Sequence, residues 1–125
     1  MKLLNLTQHK ATPEQLEAGV VDLPPDLQVK LKELLDFKEL PGQQEIYLRA
    51  ETIRTMYEEF GKDSGETLIG TMIGGAPFFM KALHETLEDH GIPVKYSFSA
   101  RVSEEKTLEN GTVEKVSVFK HLGFV

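Results

Sequence analysis

The spacing of hydrophobic and polar positions predicts the first elements of this chain. A short apolar run at Leu3–Leu6 predicts a buried strand. The stretch from Thr12 to Gln15 then has a hydroxyl cap, a proline and a glutamine at the positions where they start a helix. Gly19 offers a stop for that helix, and Val20–Leu23 predicts a second, brief strand. The chain therefore begins as strand, helix, strand.

Two helices are predicted next, because apolar residues recur at helical spacing. The first begins at Asp26 and ends near Phe37, and its apolar face contains Leu27, Leu31, Leu34 and Leu35. The second follows the turn at Leu40-Pro41-Gly42 and closes at Gly61. Its apolar face contains Ile46, Ala50, Ile53, Tyr57 and Phe60.

A central strand is predicted at Thr67–Ile73, since this run is apolar on both sides of its pleat. The turn Gly74-Gly75-Ala76-Pro77 follows it, and Pro77 can open a helix that ends at Gly91. Strands that alternate with helices in this way are typical of a parallel sheet.

The pattern changes to strict alternation from Val94 to Val102, which predicts a half-buried strand. Asn110-Gly111 is a strong hairpin turn, and Val113–Leu122 supplies the returning strand. A plain two-residue turn would place Arg101 opposite Lys120. Because like charges in that position are unfavourable, we expect a bulge that changes the register.

These elements predict an α/β fold, a Rossmann-like three-layer arrangement with a mostly parallel sheet and a C-terminal antiparallel β-hairpin. A chain of 125 residues is expected to form one domain, residues 1–125. In open parallel sheets, ligands bind in the crevice at the carboxyl ends of the strands, where loops and helix N-termini converge. We therefore expect a site there, and an anion is a suitable ligand.

Composition narrows the possible functions. With 40% hydrophobic and 27% charged residues, the chain has the composition of an ordinary globular protein. No stretch has the length of a membrane span or of a signal-peptide core, and we therefore expect a cytoplasmic protein without membrane contact. Absence of cysteine excludes disulfides, thiol nucleophiles and thiolate metal sites. A net charge of −6 argues against binding duplex nucleic acid, although a small anion in a local pocket is permitted.

The loop after the first strand supplies the first candidate residues, Asn5, Thr7, Gln8 and His9. The imidazole of His9 can act as a base or bind phosphate near neutral pH. The alternative is that these side chains only hydrogen-bond the nearby backbone. No nucleophile here has an obvious adjacent base, and so a serine hydrolase has no support.

The glycine turn supplies the second set, Gly74, Gly75 and Ala76. Glycines let a ligand approach the backbone closely, and amides at a helix start suit an anion. The turn lacks the spacing of a Walker loop or of a dinucleotide fingerprint. Its alternative reading is a tight turn that requires a positive φ.

The hairpin supplies a third set: Ser99, Arg101, Lys115, Lys120 and His121. Its cations could lie beside the crevice if the hairpin folds over it, although exposed charges of this kind are usually only solvated. His84 and His90 lie in an acidic helix and are expected at the surface. That helix has no HExxH pattern, and we expect neither a metal nor a cofactor.

Several motifs together resemble a known family. They are Leu4-Asn5-Leu6-Thr7-Gln8-His9 with Thr12-Pro13-Glu14-Gln15, Gly74-Gly75-Ala76-Pro77-Phe78, Tyr96-Ser97-Phe98-Ser99-Ala100-Arg101 and Val118-Phe119-Lys120-His121-Leu122-Gly123-Phe124. With this nearly end-to-end set, the chain resembles the small CRISPR-associated Rossmann-like (CARF-like) ring nucleases, which bind and degrade cyclic oligoadenylate messengers. The segment Pro24–Gln44 matches no motif of that family.

The resemblance implies a homodimer that holds a cyclic oligoadenylate, with cyclic tetra-adenylate favoured, in a groove between subunits. It also implies metal-independent cleavage, in which a ribose 2′-hydroxyl attacks the neighbouring phosphorus. His9 would be the base or phosphate ligand, Arg101 and His121 would stabilise charge, and the amides of Gly74 and Gly75 would hold the phosphate.

Three functions therefore remain open. The first is a ring nuclease that limits type III CRISPR antiviral signalling. The second is a non-catalytic protein that binds or sequesters a cyclic nucleotide. The third is a structural or regulatory partner with no nucleotide ligand, in which replacement of His9 would change neither stability nor binding.

Overall fold

Four short parallel strands form the central sheet of the computed structural model, which describes residues 2–125. Residue 1 of the expected domain lies outside this range. The strands are β1 (Leu3–Leu6), β2 (Val20–Val21), β3 (Gly70–Ile73) and β4 (Val94–Lys95). They are arranged in the order β2-β1-β3-β4, and all three pairings are parallel.

Four helices connect these strands: α1 (Pro13–Glu17), α2 (Pro25–Leu35), α3 (Gln43–Ser64) and α4 (Pro77–Asp89). Connections between parallel strands are right-handed. From β1 to β2 the chain moves towards one edge of the sheet, and from β2 through β3 to β4 it moves towards the other edge. The rule therefore places α1 on one face of the sheet and α2, α3 and α4 on the other. The predicted Rossmann-like α/β fold is confirmed.

Capping explains where several helices begin and end. Thr12 and Gln15 form the expected capping box, in which the Thr12 side chain accepts from the Gln15 backbone and the Gln15 side chain accepts from the Thr12 backbone. The expected end of α3 at Gly61 is wrong, because the helix continues to Ser64. Gly65, with φ of 71°, provides the left-handed residue that ends it.

Two strands are shorter than the apolar runs predicted. The second ends at Val21, since the carboxylate of Asp22 accepts from the amide of Ala11 at 3.1 Å and joins the neighbouring loop. The central strand begins only at Gly70. A Cβ at Gly70 would lie 2.8 Å from the carbonyl oxygen of Pro93, and therefore the close approach of these two segments requires glycine.

The main core lies between the sheet and the three helices α2, α3 and α4. Leu4 and Leu6 of β1 are fully buried there, together with Ile53 of α3 and Leu83 of α4. No helix within residues 2–125 is long and apolar enough to cross a membrane.

The C-terminal strands β5 (Ser97–Thr107) and β6 (Val113–Phe124) form a separate antiparallel hairpin. Tyr96 interrupts the single strand predicted from Val94, and its backbone exchanges hydrogen bonds of 2.7 and 2.8 Å with Val125. Phe98 is 50% exposed, so the predicted burial of its face is wrong at this residue. Its face has no helix to cover it because the hairpin extends from the sheet.

The hairpin register differs from that of a plain two-residue turn, as expected. The amide of Gly111, with φ of 83°, donates to Leu108, while the amide of Leu108 donates to Thr112, which makes a three-residue loop. Arg101 therefore lies opposite Phe119 instead of Lys120. Its guanidinium carbon is 4.9 Å from the centre of that ring, in a cation–π contact. The three-residue loop, and not a bulge within the strands, therefore sets the partner of Arg101, and the register shift in the ladder lies further along, between Phe98 and Ser99.

Candidate functional site

The loops that follow β1 and β3 lie side by side at the carboxyl edge of the sheet. A Cβ on Gly74 would be 3.5 Å from Cγ2 of Thr7. The chain leaves β1 towards β2 on one side and leaves β3 towards β4 on the other, so the two loops flank the switch point of the strand order. We call residues 7–9 together with 74–78 the carboxyl-edge site.

The side chain of Asn5, at the end of β1, holds the first loop of this site in place through four hydrogen bonds. Its amide nitrogen donates to the carbonyl of His9 at 2.7 Å and to Asp22 at 2.8 Å. Its amide oxygen accepts from the backbone and the hydroxyl of Thr7, at 2.9 and 2.7 Å. With only 4% exposure and both ends of its amide engaged, Asn5 holds the loop in place and has no group left to offer a ligand.

The other polar side chains of the first loop are also engaged within the protein. The hydroxyl of Thr7 lies between Asn5 and the backbone of His9. The side chain of Gln8 reaches the carbonyl of Leu35 at 3.4 Å, at the end of α2. The cavity among these residues measures only about 10 Å³, which leaves no room for a ligand. For Thr7, the structure therefore fits the local hydrogen-bonding alternative, whereas Gln8 bonds a backbone carbonyl 27 residues away.

His9 is the exception in this loop, because its side chain is exposed. The hydrogen bonds that hold this residue run through its backbone, whose carbonyl accepts from Asn5 and whose amide donates to Thr7 at 3.3 Å. The imidazole of His9 is therefore exposed at the carboxyl edge of the sheet, while hydrogen bonds to Asn5 and Thr7 hold the backbone of His9 in place.

The glycine turn presents unpaired amides. The amides of Gly75, Ala76 and Phe78 have no hydrogen-bond partner within residues 2–125, and Ala76 caps α4 without a side-chain bond. Gly75 has φ of 159°, a positive value that residues with side chains rarely adopt, so the expected requirement for a positive φ is met at this turn. Amides at a helix start attract an anion, because the helix dipole adds partial positive charge.

A groove that shares Phe78 with the glycine turn adds an aromatic surface. It measures about 280 Å³ between the start of α3 and the first turns of α4, and its lining includes Ile46, Tyr47, Phe78 and Lys81. Phe78 is 50% exposed and is held edge-to-face against Phe37, with ring centres 5.1 Å apart. Phe78 thus combines a free amide with an exposed ring, a pairing that the sequence analysis missed.

A second polar cluster joins α1 to the base of the hairpin. The side-chain amide of Gln15 donates to Ser97 at 3.1 Å, and the Ser97 hydroxyl lies 2.7 Å from Nδ1 of His121. Nε2 of His121 is buried without a partner in the described part of the chain, beside the ring of Phe124. His121 therefore presents neither ring nitrogen to a ligand in this conformation, and it positions Ser97.

The remaining hairpin candidates lie away from the switch point or on the other face. Arg101 is four residues beyond Ser97, which corresponds to about 13 Å along a strand. Lys120 lies on the face of the hairpin opposite to Arg101 and pairs with Glu104. The hydrogen bond and the charge of Glu104 raise the pKa of Lys120. Ser99 is opposite His121 in the ladder. The side chains of Arg101 and Lys120 thus make their contacts within the hairpin, with Phe119 and Glu104.

Tyr96 is a further residue that the sequence analysis missed. Its hydroxyl lies 2.9 Å from Nδ1 of His84, and Nε2 of His84 is 3.0 Å from Glu88. Burial and the charge of Glu88 raise the pKa of Tyr96. His84 thus links α4 to the end of β4, a contact that no local sequence pattern indicates. Within residues 2–125, no group of three or more histidine and acidic side chains is placed to hold a metal ion.

Comparison with known proteins places the chain in a family. The sequence model described as the uncharacterized protein MJ1673 family matches residues 1–125. The chain belongs to the MJ1673 family. A search of curated proteins found no match, and a search of solved structures found none either. Membership of the MJ1673 family covers the whole chain, and the description of that family assigns no ligand or reaction.

Proposed function

We propose that this MJ1673-family protein binds a cyclic oligoadenylate at its carboxyl-edge site and cleaves it without a metal. The observation that carries the binding part is the row of unpaired amides at Gly75, Ala76 and Phe78, next to the exposed ring of Phe78. Amides suit a phosphate, and an aromatic face suits a nucleobase. The choice of a cyclic oligoadenylate among nucleotides comes from the family resemblance described above.

The groove supports a nucleotide of limited size at each site. A volume of about 280 Å³ lies near the lower end of ligand pockets and fits one nucleobase with its sugar. Lys81 in its lining supplies a positive charge within an otherwise acidic protein. A ring of several nucleotides would extend beyond one groove, and the homodimer belongs to the proposal for this reason. A cytoplasmic location belongs to it as well, because nucleotide messengers act inside the cell.

Cleavage needs only a proton acceptor and a fixed phosphate. The 2′-oxygen of one ribose bonds to the neighbouring phosphorus, the bond from phosphorus to the 5′-oxygen breaks, and a 2′,3′-cyclic phosphate with a free 5′-hydroxyl results. The proton of the 2′-hydroxyl passes to His9, and the leaving 5′-oxygen takes a proton from water. The hydroxide that forms then takes the proton from His9, which restores the neutral imidazole. The turn amides would stabilise charge on the phosphate oxygens.

The test is incubation of the protein with cyclic tri-, tetra- and hexa-adenylate in EDTA, with the products separated by chromatography. We expect loss of one ring size, and His9→Ala should slow it by about 10² or more, the scale of a lost acid–base group. A matched variant, His90→Ala, removes an exposed imidazole at the other end of α4 and should leave the rate unchanged. Equal rates for the wild type and His9→Ala would contradict the role of His9.

Ala76→Pro tests the amides themselves. Ala76 has φ of −59° and ψ of 129°, values that proline adopts, and the substitution deletes one free N–H without moving the backbone. Binding should weaken about tenfold, the scale of one hydrogen bond to a charged group. Ala76→Ser keeps the amide and should bind as the wild type does. Unchanged affinity in Ala76→Pro would place the ligand elsewhere.

A second candidate function is sequestration without turnover. Asn5 and Thr7 are engaged in internal hydrogen bonds, and the ring of His121 is buried. Of the predicted residues that could transfer a proton, His9 is therefore the exposed one, and this shortage of catalytic groups favours sequestration. A calorimetric titration on the same samples separates the two functions. Binding without loss of any ring supports sequestration, whereas absence of binding favours a partner protein with no nucleotide ligand.

A further inference from the structure

The hairpin has two long free edges and a face on which three valines lie among charged side chains. Val102, Val116 and Val118 share one face and are only half-buried. β5 packs on β6, and no other element packs on either strand to a comparable extent. A two-stranded hairpin alone is marginally stable in water, and free edges invite further pairing.

The ladder shows which backbone groups point outward. Leu108 and Thr112 form a hydrogen-bonded pair next to the turn. Hydrogen-bonded and non-hydrogen-bonded pairs alternate along an antiparallel ladder. The pair Ser103–Ser117 is five steps further along, so it is of the non-bonded type. The N–H and C=O groups of both serines therefore point away from the hairpin, one pair on each outer edge.

We propose that β6 pairs with β6 of a second copy of this chain, antiparallel and with the two-fold axis at Ser117. This register places Val116 opposite Val118 of the partner subunit and Glu114 opposite Lys120 of the partner subunit. Lys120 also pairs with Glu104 of its own hairpin, so Glu114 would be a second carboxylate beside the same ammonium group. Each contact occurs twice by symmetry. Opposite charges and β-branched pairs on one face stabilise a sheet, so the β6 edge is complementary to itself.

The β5 edge is a poorer match for the same arrangement. A two-fold axis at Ser103 would place Arg101 opposite Glu105 of the partner subunit, which is favourable. It would also place Val102 opposite Glu104 of the partner subunit, which sets an apolar side chain against a carboxylate. Pairing through β6 instead yields a four-stranded sheet that joins the valines of both hairpins. The occupant of the free β6 edge is therefore a second copy of this chain.

Proline substitutions on the two edges test this interface. Sedimentation of the protein without nucleotide should give a dimer of twice the 14.1 kDa chain mass. Ser117→Pro removes an outward N–H in each copy, and the loss of two hydrogen bonds should raise the dissociation constant about thirtyfold. Ser103→Pro makes the same change on the opposite edge and should leave the constant unchanged. Proline is tolerated where an edge N–H faces outward, and circular dichroism verifies that both variants fold.

A charge reversal provides a second route if Ser117→Pro does not fold. Glu114→Lys would face Lys120 of the partner subunit and should weaken the dimer, more strongly at low salt, while Glu109→Lys in the turn should not. A monomer at every concentration up to about 1 mM would overturn the proposal. So would a dimer that both Ser117→Pro and Glu114→Lys leave intact, or one that Ser103→Pro dissociates. These measurements contain no ligand, and their result is independent of the proposed binding of cyclic oligoadenylate.

Discussion

Replacement of Asn5 by alanine should destabilise the protein strongly, because this side chain ties the first loop to the end of β2. The substitution removes four hydrogen bonds, and it leaves the buried amide of Thr7 without its acceptor. Asp22 keeps its bonds to Ala11 and is only partly affected. At about 1 kcal/mol for each bond, with some recovery by water, we expect a loss of about 3 kcal/mol in the free energy of unfolding.

Urea denaturation with circular dichroism measures this loss, and a thermal scan complements it. For a chain of this length, about 3 kcal/mol corresponds to a fall of about 10 °C in the melting temperature. Gln28→Ala is a suitable comparison, since it removes a single bond, from the side-chain amide to Leu23 at 2.6 Å, and should cost about 1 kcal/mol. If Asn5→Ala unfolds at the same urea concentration as the wild type but loses ligand binding, Asn5 is a ligand residue and the structural assignment is refuted.

Three other outcomes follow from the fold. Gly70→Ala should lower the free energy of unfolding by about 2 kcal/mol or more, because the new Cβ would meet the carbonyl of Pro93. Gly123→Ala places its Cβ in open space and should change the free energy of unfolding by under about 0.5 kcal/mol. Equal urea midpoints for the two variants would contradict this prediction. Arg49→Lys should lower the free energy of unfolding by about 1–2 kcal/mol in urea, because the guanidinium donates to carbonyls at the end of α2 and stacks on Phe37. An unchanged urea midpoint would show that lysine makes equivalent contacts. The pKa values of all three tyrosines are raised, chiefly by a hydrogen bond to Glu85 in one case and by burial in the other two. The contribution of the tyrosines to stability is thus complete below pH 10, and it is lost as the pH rises through the pKa values of the folded state. Titration followed by tyrosine absorbance should therefore show a higher midpoint for the native chain than for the chain unfolded in urea.

Local signals in the sequence were sufficient for most of the fold. The capping box at Thr12, the proline at the start of α4 and the hairpin glycine each act within a few residues, so their positions could be predicted. The end of α3 could not, because glycine is tolerated within a long helix that packs against its neighbours, and Gly61 gave a false stop. Charge repulsion correctly predicted that Arg101 would not lie opposite Lys120. It did not predict that a three-residue loop would set this register, with the shift in the ladder only at Phe98 and Ser99.

The candidate site was predictable in position but less so in the roles of its residues. Strand ends and a glycine turn indicate where a ligand binds in a parallel sheet, and the loops do converge there. Asn5 makes three of its four bonds to the loop that directly follows it, but its fourth partner, Asp22, is 17 residues away, and the partner of His121 is 24 residues away. No local pattern identifies such distant contacts. Phe78 was missed as a candidate because an aromatic residue at a helix start is usually part of the core, and only its exposure in the structure distinguishes it.

The most direct test of the central claim is a titration of ¹⁵N-labelled protein with cyclic tetra-adenylate, followed by amide NMR. We expect the amide resonances of Gly75, Ala76 and Phe78 to move to lower field as they bind phosphate, with smaller changes for His9. Resonances of the hairpin turn around Gly111 serve as the internal reference and should stay in place. Saturating ligand that leaves the three turn amides unchanged, or changes confined to the hairpin, would contradict binding at the carboxyl-edge site.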